Sequence, residues 1–437
     1  MQPTLERALA PPQLDGKLDL SIAADAFPLI SGILAQHPDI CLIRSRSRVN
    51  DSCLINAPDL IKRVLIDNHR NYVKGTGFER VKLLLGNGII VSDGELWKKQ
   101  RRMVQPAFHR DMLRSLTGIM RNETELLLER LIKAARSAEP IDLSETMSRF
   151  ALAVILRCLF GDDLAVMCDT QGGNPFAIFT EHQQRDLNLA RRFRALISTM
   201  QGLIETRRQC QTEHHDMLAV LMKSHDLEGR PMEDRALVDE LMTLIVAGHE
   251  TSALTLTWMW YLLGKHSVAQ ASLQREVDAL PGAAGTAPDY DTASELGYCK
   301  QVMFEALRLY PPVWLYTRKA LADDLLGGYK IAAGTDIFIS PYYLHRRSDT
   351  WPNPEHFDPD RFTDAAVDAR HRVAFIPFSA GPRKCIGDVF AILEMQIHMG
   401  TLARVLSMRP VDVAEPELEP AINLRNKNPI FMQVAMR

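Results

Sequence analysis

The stretch "FSAGPRKCIG", residues 378–387, places Cys385 in a short loop rich in glycine, directly after two cations. Neighbouring positive charge lowers the pKa of a cysteine and favours the thiolate, the form that acts as a nucleophile or a metal ligand. A buried structural cysteine needs no such surroundings. This cysteine loop therefore predicts one of two roles for Cys385, a catalytic nucleophile or a metal ligand.

The composition is that of a large globular protein. The 437 residues are 46% hydrophobic and 24% charged, and the net charge of −3 gives no reason to expect nucleic acid as a partner. Seven irregularly spaced cysteines without a CxxC pair indicate reduced thiols in a cytoplasm rather than a disulfide framework or a zinc site. The N-terminus lacks a signal-peptide pattern, and we find no uncharged apolar run of about 18 residues, so no membrane span is expected.

Hydrophobic periodicity predicts mostly helices. Apolar residues at spacings of three and four indicate long helices over residues 93–116, 122–138, 143–160 and 232–266. Pro106 should bend the first of these. Alternation over 40–56 predicts a hairpin, and short strands follow Pro311. Because no linker or repeat interrupts the chain, we expect one domain over residues 1–437, mainly α with small β-sheets.

The surroundings of Cys385 favour a metal ligand, because no protease-type signature accompanies it. A single thiolate is the ligand of a haem iron that activates oxygen. The loop resembles the haem-binding loop of the cytochrome P450 monooxygenases, Phe-x-x-Gly-x-Arg-x-Cys-x-Gly, at Phe378, Gly381, Arg383, Cys385 and Gly387. The resemblance implies a triangular-prism fold that holds haem b (iron protoporphyrin IX) between the long helix and the helix after the cysteine loop, with Cys385 as the iron ligand.

Within the longest helix, "AGHET" (247–251) combines a glycine with a threonine that can compete for a backbone carbonyl, which predicts a local widening. Taken alone, the segment is equally a polar step on a buried helix. It resembles the family's oxygen-activation sequence, Ala-Gly-x-Glu-Thr. The resemblance implies that Ala247 and Gly248 leave room for O₂ and that Glu250 and Thr251 form the catalytic acid–alcohol pair of a proton relay.

Glu305 and Arg308 in "EALR" lie three residues apart and so share one helix face. Alone, this spacing is that of an ordinary surface pair. On an apolar helix upstream of the cysteine loop, it resembles the family's Glu-x-x-Arg, which an arginine of the following meander completes, here Arg361. The resemblance implies a buried charge network that holds the cysteine loop in place.

Haem propionates need cationic or N–H partners. Trp97 and Arg101 in "WKKQR" lie one helical turn apart and can face the same carboxylate. With Arg318 and Arg383 they resemble the family's propionate-binding set. The run "KKQRR" (98–102) is either a solvated helix face or a docking patch for an acidic partner.

The resemblance implies a monooxygenase, in which a small hydrophobic substrate R–H, O₂, two electrons and two protons give R–OH and water, or an alkene gives an epoxide. The chain carries no flavin or iron–sulfur motif, so we expect electrons from NAD(P)H through a separate ferredoxin or flavodoxin-like protein docked at a basic proximal face. A monomeric, cytoplasmic, bacterial-type enzyme is expected. Two alternatives remain: a peroxide-driven peroxygenase, which normally lacks the acid–alcohol pair, and a non-enzymatic haem-thiolate sensor.

By the same resemblance, mostly apolar segments line the substrate pocket, namely residues 74–91, 176–184, 244–247, 313–316 and 422–424. One of them contains "GNGIIV" (86–91), which begins like a dinucleotide-binding fingerprint. The third glycine is absent, because Val91 stands in its place, so nucleotide binding is not predicted.

Overall fold

The computed structural model describes residues 9–16, 26–45, 50–168, 174–180, 187–210 and 212–437. The helices are α1 (Ala26–Gln36), α2 (Pro58–Lys62), α3 (Phe78–Leu85), α4 (Gly94–Val104), α5 (Arg110–Ser137), α6 (Leu143–Phe160), α7 (Asp163–Cys168), α8 (Leu187–Gln209), α9 (Met217–Lys223), α10 (Asp234–Lys265), α11 (Ser267–Asp278), α12 (Tyr290–Ser294), α13 (Gly297–Leu309), α14 (Pro341–Leu344), α15 (Asp364–Asp368) and α16 (Asp388–Leu402). The strands are β1 (Gln13–Gly16), β2 (Ile40–Ser45), β3 (Ser52–Ile55), β4 (Tyr72–Lys74), β5 (Ile141–Asp142), β6 (Tyr316–Ala320), β7 (Asp324–Leu326), β8 (Tyr329–Ile331), β9 (Asp336–Ile339), β10 (Leu406–Pro410), β11 (Leu418–Pro420), β12 (Leu424–Asn426) and β13 (Phe431–Met436).

The chain divides into two compact units. The first consists of Met1–Leu84, Phe304–Cys385 and Glu417–Lys427. The second consists of Leu85–Met303, Ile386–Pro416 and Asn428–Arg437. The cysteine that the sequence singles out therefore ends a segment of the first unit, whereas the long helix belongs to the second.

A mixed six-stranded sheet, in the order β1-β2-β3-β9-β6-β4, organises the first unit. β2 and β3 pair antiparallel with Ile40 opposite Ile55, which confirms the hairpin predicted over 40–56, although its residues 46–49 lie outside the described residues. Buried Ile, Leu and Val side chains cover both faces of the central strands. The sheet thus gives β6, with Arg318 at its centre, a rigid support on two sides.

Two long helices, α6 and α10, pack together in the second unit. α6 has the bounds predicted from the sequence, and the Asp142 side chain caps it by accepting from the Glu145 N–H at 3.1 Å. A Cβ atom on Gly248 of α10 would lie 3.1 Å from the side chain of Ile155 on α6. The glycine therefore allows the two helices to approach closely, a reason that the sequence alone did not provide.

The helix predicted over 93–116 with a bend at Pro106 is in fact two helices. A 3₁₀ turn over Gln105–Phe108 separates α4 from α5. Proline lacks an N–H and has a fixed φ, so it suits the first turn of a new segment better than a helix interior. α5 then continues to Ser137, so the separate helix predicted over 122–138 is the second half of α5.

The widening predicted at "AGHET" is also wrong, because α10 is α-helical throughout. The Thr251 hydroxyl donates to the Ala247 carbonyl oxygen at 2.6 Å without breaking the helix. A threonine can share the carbonyl four residues earlier with the backbone in this way.

Within the part of the chain that the structure describes, no helix is both long and apolar enough to cross a membrane.

Candidate functional site

The cysteine loop has a tightly fixed backbone. The N–H of Cys385 donates to the Phe378 carbonyl oxygen at 2.9 Å, and the N–H of Lys384 donates to that of Gly381 at 3.1 Å. Gly381 has a φ of +70°, and a Cβ atom there would collide with the Leu65 carbonyl oxygen, so only glycine fits. The loop presents an exposed Cys385 side chain on a rigid backbone, as a ligand to an external metal requires.

Other cysteines lie in the opposite environment. Cys41, Cys53, Cys158 and Cys299 are buried free thiols. Burial raises the pKa of each of these thiols, which keeps them protonated and unreactive. This contrast separates Cys385 from the four buried thiols. Because Cys210 is also exposed, it is the sequence and the fixed backbone of the cysteine loop that single out Cys385 as the ligand candidate.

The predicted charge network exists in the first unit, with Glu305 and Arg308 completely buried and Arg361 mostly buried. Arg308 donates to both carboxylate oxygens of Glu305, at 2.6 and 2.8 Å, and both side chains are 0% exposed. Arg361 Nε lies 3.5 Å from Glu305 Oε1, and the Asp358 N–H donates to the same oxygen at 2.8 Å. These contacts confirm the buried network predicted from "EALR" and Arg361.

Arg308 also connects the network to the chain that leads into the cysteine loop. Its guanidinium donates to the carbonyl oxygens of His345, Pro354 and His356 at 2.6–3.0 Å. The ring of His345 in turn accepts from the Ile376 N–H at 2.9 Å, two residues before the loop begins. Burial and the nearby Arg308 charge hold the pKa of His345 well below its usual value, so the ring stays neutral and able to accept.

Trp97 and Arg101 lie together on α4, as their spacing predicts. Both are half-buried and share one groove in the second unit. The groove is lined by Trp97, Lys98, Arg101, Arg102, Gln105, Pro106 and His109. An indole N–H and a guanidinium are donors only, which suits a carboxylate ligand such as a haem propionate.

The remaining two cations of the predicted propionate set belong to the first unit. Arg318 on β6 is nearly buried, donates to the Thr317 carbonyl oxygen at 2.8 Å and lies 5.5 Å from the Tyr316 ring centre. Arg383 ends the 3₁₀ turn Gly381–Arg383 within the cysteine loop and is half-buried. Each unit thus carries two side chains of the predicted propionate set, and all four are hydrogen-bond donors.

The run "KKQRR" is not uniformly available for docking. Lys98 is exposed and pairs with Glu95, whereas Lys99 Nζ lies 2.8 Å from the carboxylate of Asp226, whose side chain is only 2% exposed. The Lys99 hydrogen bond, with help from Arg230, holds the pKa of Asp226 well below its usual range. Lys99 therefore anchors α4 to the 225–231 turn. The expectation that the whole run 98–102 is a solvated face or a docking patch is wrong for Lys99.

The polar residues of "AGHET" are half-buried on α10, except for His249, which is buried. The His249 ring lies 2.9 Å from the Ser148 hydroxyl. The adjacent Ser252 donates to Glu394 Oε2 at 2.6 Å, and burial raises the pKa of Glu394 to about 8. The sequence analysis missed this protonated acid, although an acidic residue within the apolar helix α16 was a usable signal.

Two other expectations have mixed outcomes. Residues 181–184 of the predicted pocket segment 176–184 lie outside the described residues. Leu244 and Trp314 are buried in their own units, but Ile422 is 69% exposed. The structure also gives no steric need for glycine at position 387, where a Cβ atom would make an ordinary 3.4 Å contact with the Phe108 ring.

Comparison with known proteins defines the class. The family model for cytochrome P450 matches residues 42–174 and 173–433. Cyclooctatin synthase from Streptomyces melanosporofaciens is 36% identical over 385 residues, 84% of this chain and 83% of the relative. Pentalenene oxygenase from Streptomyces avermitilis is 33% identical, over 84% of each chain. The crystal structure of the cytochrome P450DA haem domain has the same fold, with a TM-score of 0.85 and 23% identity over 98% of each chain.

Fold and relatives together define a haem-thiolate monooxygenase, which inserts one oxygen atom of O₂ into a hydrophobic organic substrate with electrons from a redox partner. The chain belongs to the cytochrome P450 family. The donors described above suit haem: an exposed thiol on a rigid loop, and indole and guanidinium groups without acceptor atoms.

Proposed function

We propose that Cys385 would hold haem b in this monooxygenase, with its thiolate as the ligand to the iron. The observation that carries the proposal is the exposed thiol at the end of a loop whose backbone is fixed by hydrogen bonds and by a glycine that no other residue can replace. Bound haem supplies the oxygen-activating redox chemistry, which a thiolate ligand favours by donating electron density. The side chains of this chain would hold the haem propionates, bind the substrate and deliver the protons.

We propose that Trp97, Arg101, Arg318 and Arg383 bind the haem propionates. Carboxylates are held most firmly by charge-assisted hydrogen bonds, and these four side chains offer donors only. Loss of one donor would then leave a propionate partly unpaired and weaken haem retention. Haem content after gel filtration of Arg101→Ala and Arg318→Ala variants tests the assignment directly, independently of any substrate.

We propose that Glu250 and Thr251 deliver protons from solvent to the reaction site. Glu250 is half-exposed and can exchange its proton with water, and a threonine hydroxyl both donates and accepts. The hydroxyl donates to the Ala247 carbonyl oxygen, and its lone pairs could accept a hydrogen bond from a water in the relay. Ala247 would provide space for O₂ beside it. The space beside Gly248 is taken by the Ile155 side chain of α6, so the expectation that Gly248 leaves room for O₂ needs correction.

The substrate class that we propose is a cyclic terpene or terpenoid. Relatives named cyclooctat-9-en-7-ol 5-monooxygenase and pentalenene oxygenase share 33% of their residues with this chain over 84–86% of its length. Their names support a cyclic, largely hydrocarbon substrate, whereas a linear fatty acid would be an alternative of equal hydrophobicity. A panel of cyclic sesquiterpenes, diterpene alcohols and fatty acids should be titrated against the haem protein, with the shift from low to high spin as the readout.

We further propose that residues 1–437 form one catalytic domain that works as a cytoplasmic monomer. The family match extends over segments of both compact units, which supports a single domain. Buried free thiols, such as Cys158 and Cys299, suit a reducing compartment. Sedimentation of the haem protein tests the oligomeric state.

Electrons would reach this domain from NAD(P)H through a ferredoxin or flavodoxin-like protein that docks on the basic α4 surface. A reconstituted assay separates this scheme from its alternatives. Product that requires both NAD(P)H and the electron donor supports the monooxygenase. Equal product with hydrogen peroxide alone would indicate a peroxygenase, and ligand-dependent spectra without any product would indicate a sensor.

A further inference from the structure

The segment "GNGIIV" lacks the third glycine of a nucleotide-binding sequence. Its backbone N–H groups instead donate to two carboxylates of the protein itself. In the loop over residues 86–92, here named the glycine loop, the Asn87 N–H donates to Asp239 Oδ2 at 2.8 Å and the Ile89 N–H donates to Glu240 Oε2 at 3.0 Å. The two acids are consecutive residues of α10. From the other side, Gln100 Nε2 donates to the Asn87 carbonyl oxygen at 2.7 Å. All of these groups belong to the second unit.

Both glycines of the loop are required by this close approach. Gly86 has a φ of +71°, and a Cβ atom there would collide with the Asp239 carboxylate. A Cβ atom on Gly88 would collide with the Thr243 hydroxyl and would lie 2.7 Å from the Asp239 carbonyl oxygen. The glycines thus let the loop backbone lie directly on α10, where its N–H groups reach the acids.

Glu240 accepts a hydrogen bond from the glycine loop at a buried position, where a negative charge is unfavourable. Its side chain is 0% exposed, and among the described residues its second oxygen, Oε1, has no hydrogen-bond partner. Burial raises the pKa of Glu240 to about 7; the Ile89 N–H opposes this shift and the neighbouring Asp239 charge adds to it. Gln100, on α4, contributes no charge. Glu240 therefore changes its charge near neutral pH while it is the acceptor for the loop.

We propose that Asp239 and Glu240 form a latch that holds the glycine loop against α10, and that this latch sets how readily the loop opens to admit a hydrophobic molecule. The second part rests on the proposed function, in which residues 74–91 help to line the substrate pocket. The first part depends only on the contacts between the loop and the helix.

The effect of pH on this latch has a definite sign. In the open loop Glu240 is solvated and has a pKa near its ordinary 4.5. In the closed loop burial raises the pKa of Glu240 to about 7. The closed state therefore binds the proton more tightly, and deprotonation favours opening. Linkage between these two values predicts that the opening equilibrium rises about tenfold between pH 6 and pH 8.

Hydrogen exchange of the Asn87 and Ile89 amides tests the latch, since exchange reports the opening equilibrium after correction for the intrinsic rate. In wild-type holoprotein we expect the tenfold rise between pH 6 and pH 8. Glu240→Gln keeps the shape and a carbonyl acceptor without the charge, and should abolish the pH dependence. Glu240→Leu removes the acceptor and should accelerate exchange at both pH values. Asp234→Asn, an exposed acid in the first turn of the same helix, is the matched control and should behave as wild type.

Two results would overturn the latch: unchanged exchange in Glu240→Leu, or a pH dependence that persists in Glu240→Gln. Control of ligand entry is measured separately by the association rate of 4-phenylimidazole, followed at the Soret band. This rate should increase in Glu240→Leu, and an unchanged rate would overturn that part of the proposal. A wild-type protein without a haem-thiolate spectrum would defeat the proposed function instead, while the exchange measurement would still decide whether the latch exists.

Discussion

Two ion pairs in this molecule share one sequence spacing and one distance but lie in opposite surroundings. Arg308 and Glu305 are three residues apart on α13, with 2.6 Å between Nε and Oε2, and both are 0% exposed. Lys98 and Glu95 are also three residues apart, on α4, and their atoms are also 2.6 Å apart. Here, however, the side chains are 60% and 87% exposed. Geometry within the pair therefore cannot distinguish a structural network from an ordinary surface contact.

The difference lies in the groups that complete each pair. The buried pair also takes up Arg361, the Asp358 N–H and three backbone carbonyl oxygens, so that its charges are satisfied without water. Water can solvate the exposed pair in place of either partner, which leaves a net stabilisation of at most about 1 kcal/mol. We infer that the buried pair supports the chain leading to Cys385, whereas the exposed pair is dispensable for the fold.

Replacement of Glu305 by alanine should have the largest effect. It would leave the Arg308 charge buried without its carboxylate, which typically costs about 3–5 kcal/mol. Because a domain is stable by only about 5–15 kcal/mol, little haem-containing protein should be recovered. Haem content per protein and the unfolding midpoint are the measurements. Normal yield and normal haem content would show that Glu305 is as dispensable as Glu95.

Thr251→Ala should have a smaller effect, confined to chemistry. Thr251 belongs to neither pair, and its hydroxyl contacts only one carbonyl oxygen among the hydrogen bonds resolved for it. Haem content, substrate affinity and electron uptake should therefore remain nearly unchanged. Electrons should be diverted, so that more H₂O₂ and less oxygenated product form per NAD(P)H.

A positioned proton donor typically contributes 10²–10⁴-fold, although water can replace part of this effect. Ser252→Ala is not a neutral control, because Ser252 binds Glu394. Thr255, whose hydroxyl donates to the Thr251 carbonyl oxygen one turn further along α10, is the better choice, and Thr255→Val should keep its coupling. Unchanged product per NAD(P)H in Thr251→Ala would remove Thr251 from the relay.

Charge reversal on α4 should have a modest effect that depends on salt. Lys98→Glu combined with Arg102→Glu changes two exposed cations and should slow reduction by the electron donor without altering substrate affinity. The difference from wild type should shrink as salt screens the attraction. Lys99→Glu does not belong in this test, because it would place a second acid against Asp226 and disturb α4 itself. If neither the charge reversal nor the salt concentration changes the reduction rate, the electron donor docks elsewhere.

The smallest effect is expected from Glu95→Ala, the counterpart of Glu305→Ala. Loss of an exposed pair should lower the free energy of unfolding by no more than about 1 kcal/mol. Thermal unfolding of the two variants side by side measures the contrast. Equal destabilisation by both substitutions would contradict the argument that burial separates the two pairs.

The sequence predicted the elements that depend on short patterns. The cysteine loop, the hairpin of β2 and β3, and the bounds of α6 follow from local residue types and spacing. The buried Glu305 network was also predicted, but only because a family resemblance removed the surface alternative. The spacing in "EALR" is that of an exposed pair, and only the apolar residues around it on the helix point locally to burial.

Features that depend on tertiary partners were missed or wrong. Pro106 separates two helices instead of bending one, since the following residues start a new helix. Lys99 is held by an acid 127 positions later in the sequence, and Glu240 accepts from a loop 151 positions earlier. Such long-range partners leave no periodic signal, so the roles of Gly86, Gly88 and Glu394 became clear only from the structure.

The thiolate at Cys385 is the central claim, and the absorption spectrum of the reduced, carbon monoxide-bound protein tests it most directly. Thiolate ligation predicts the red-shifted Soret band of this class in the wild type, and its loss in Cys385→Ser even where some haem is retained. A wild-type carbonyl spectrum of the histidine-ligated kind would contradict the assignment of Cys385 and the functions built on it.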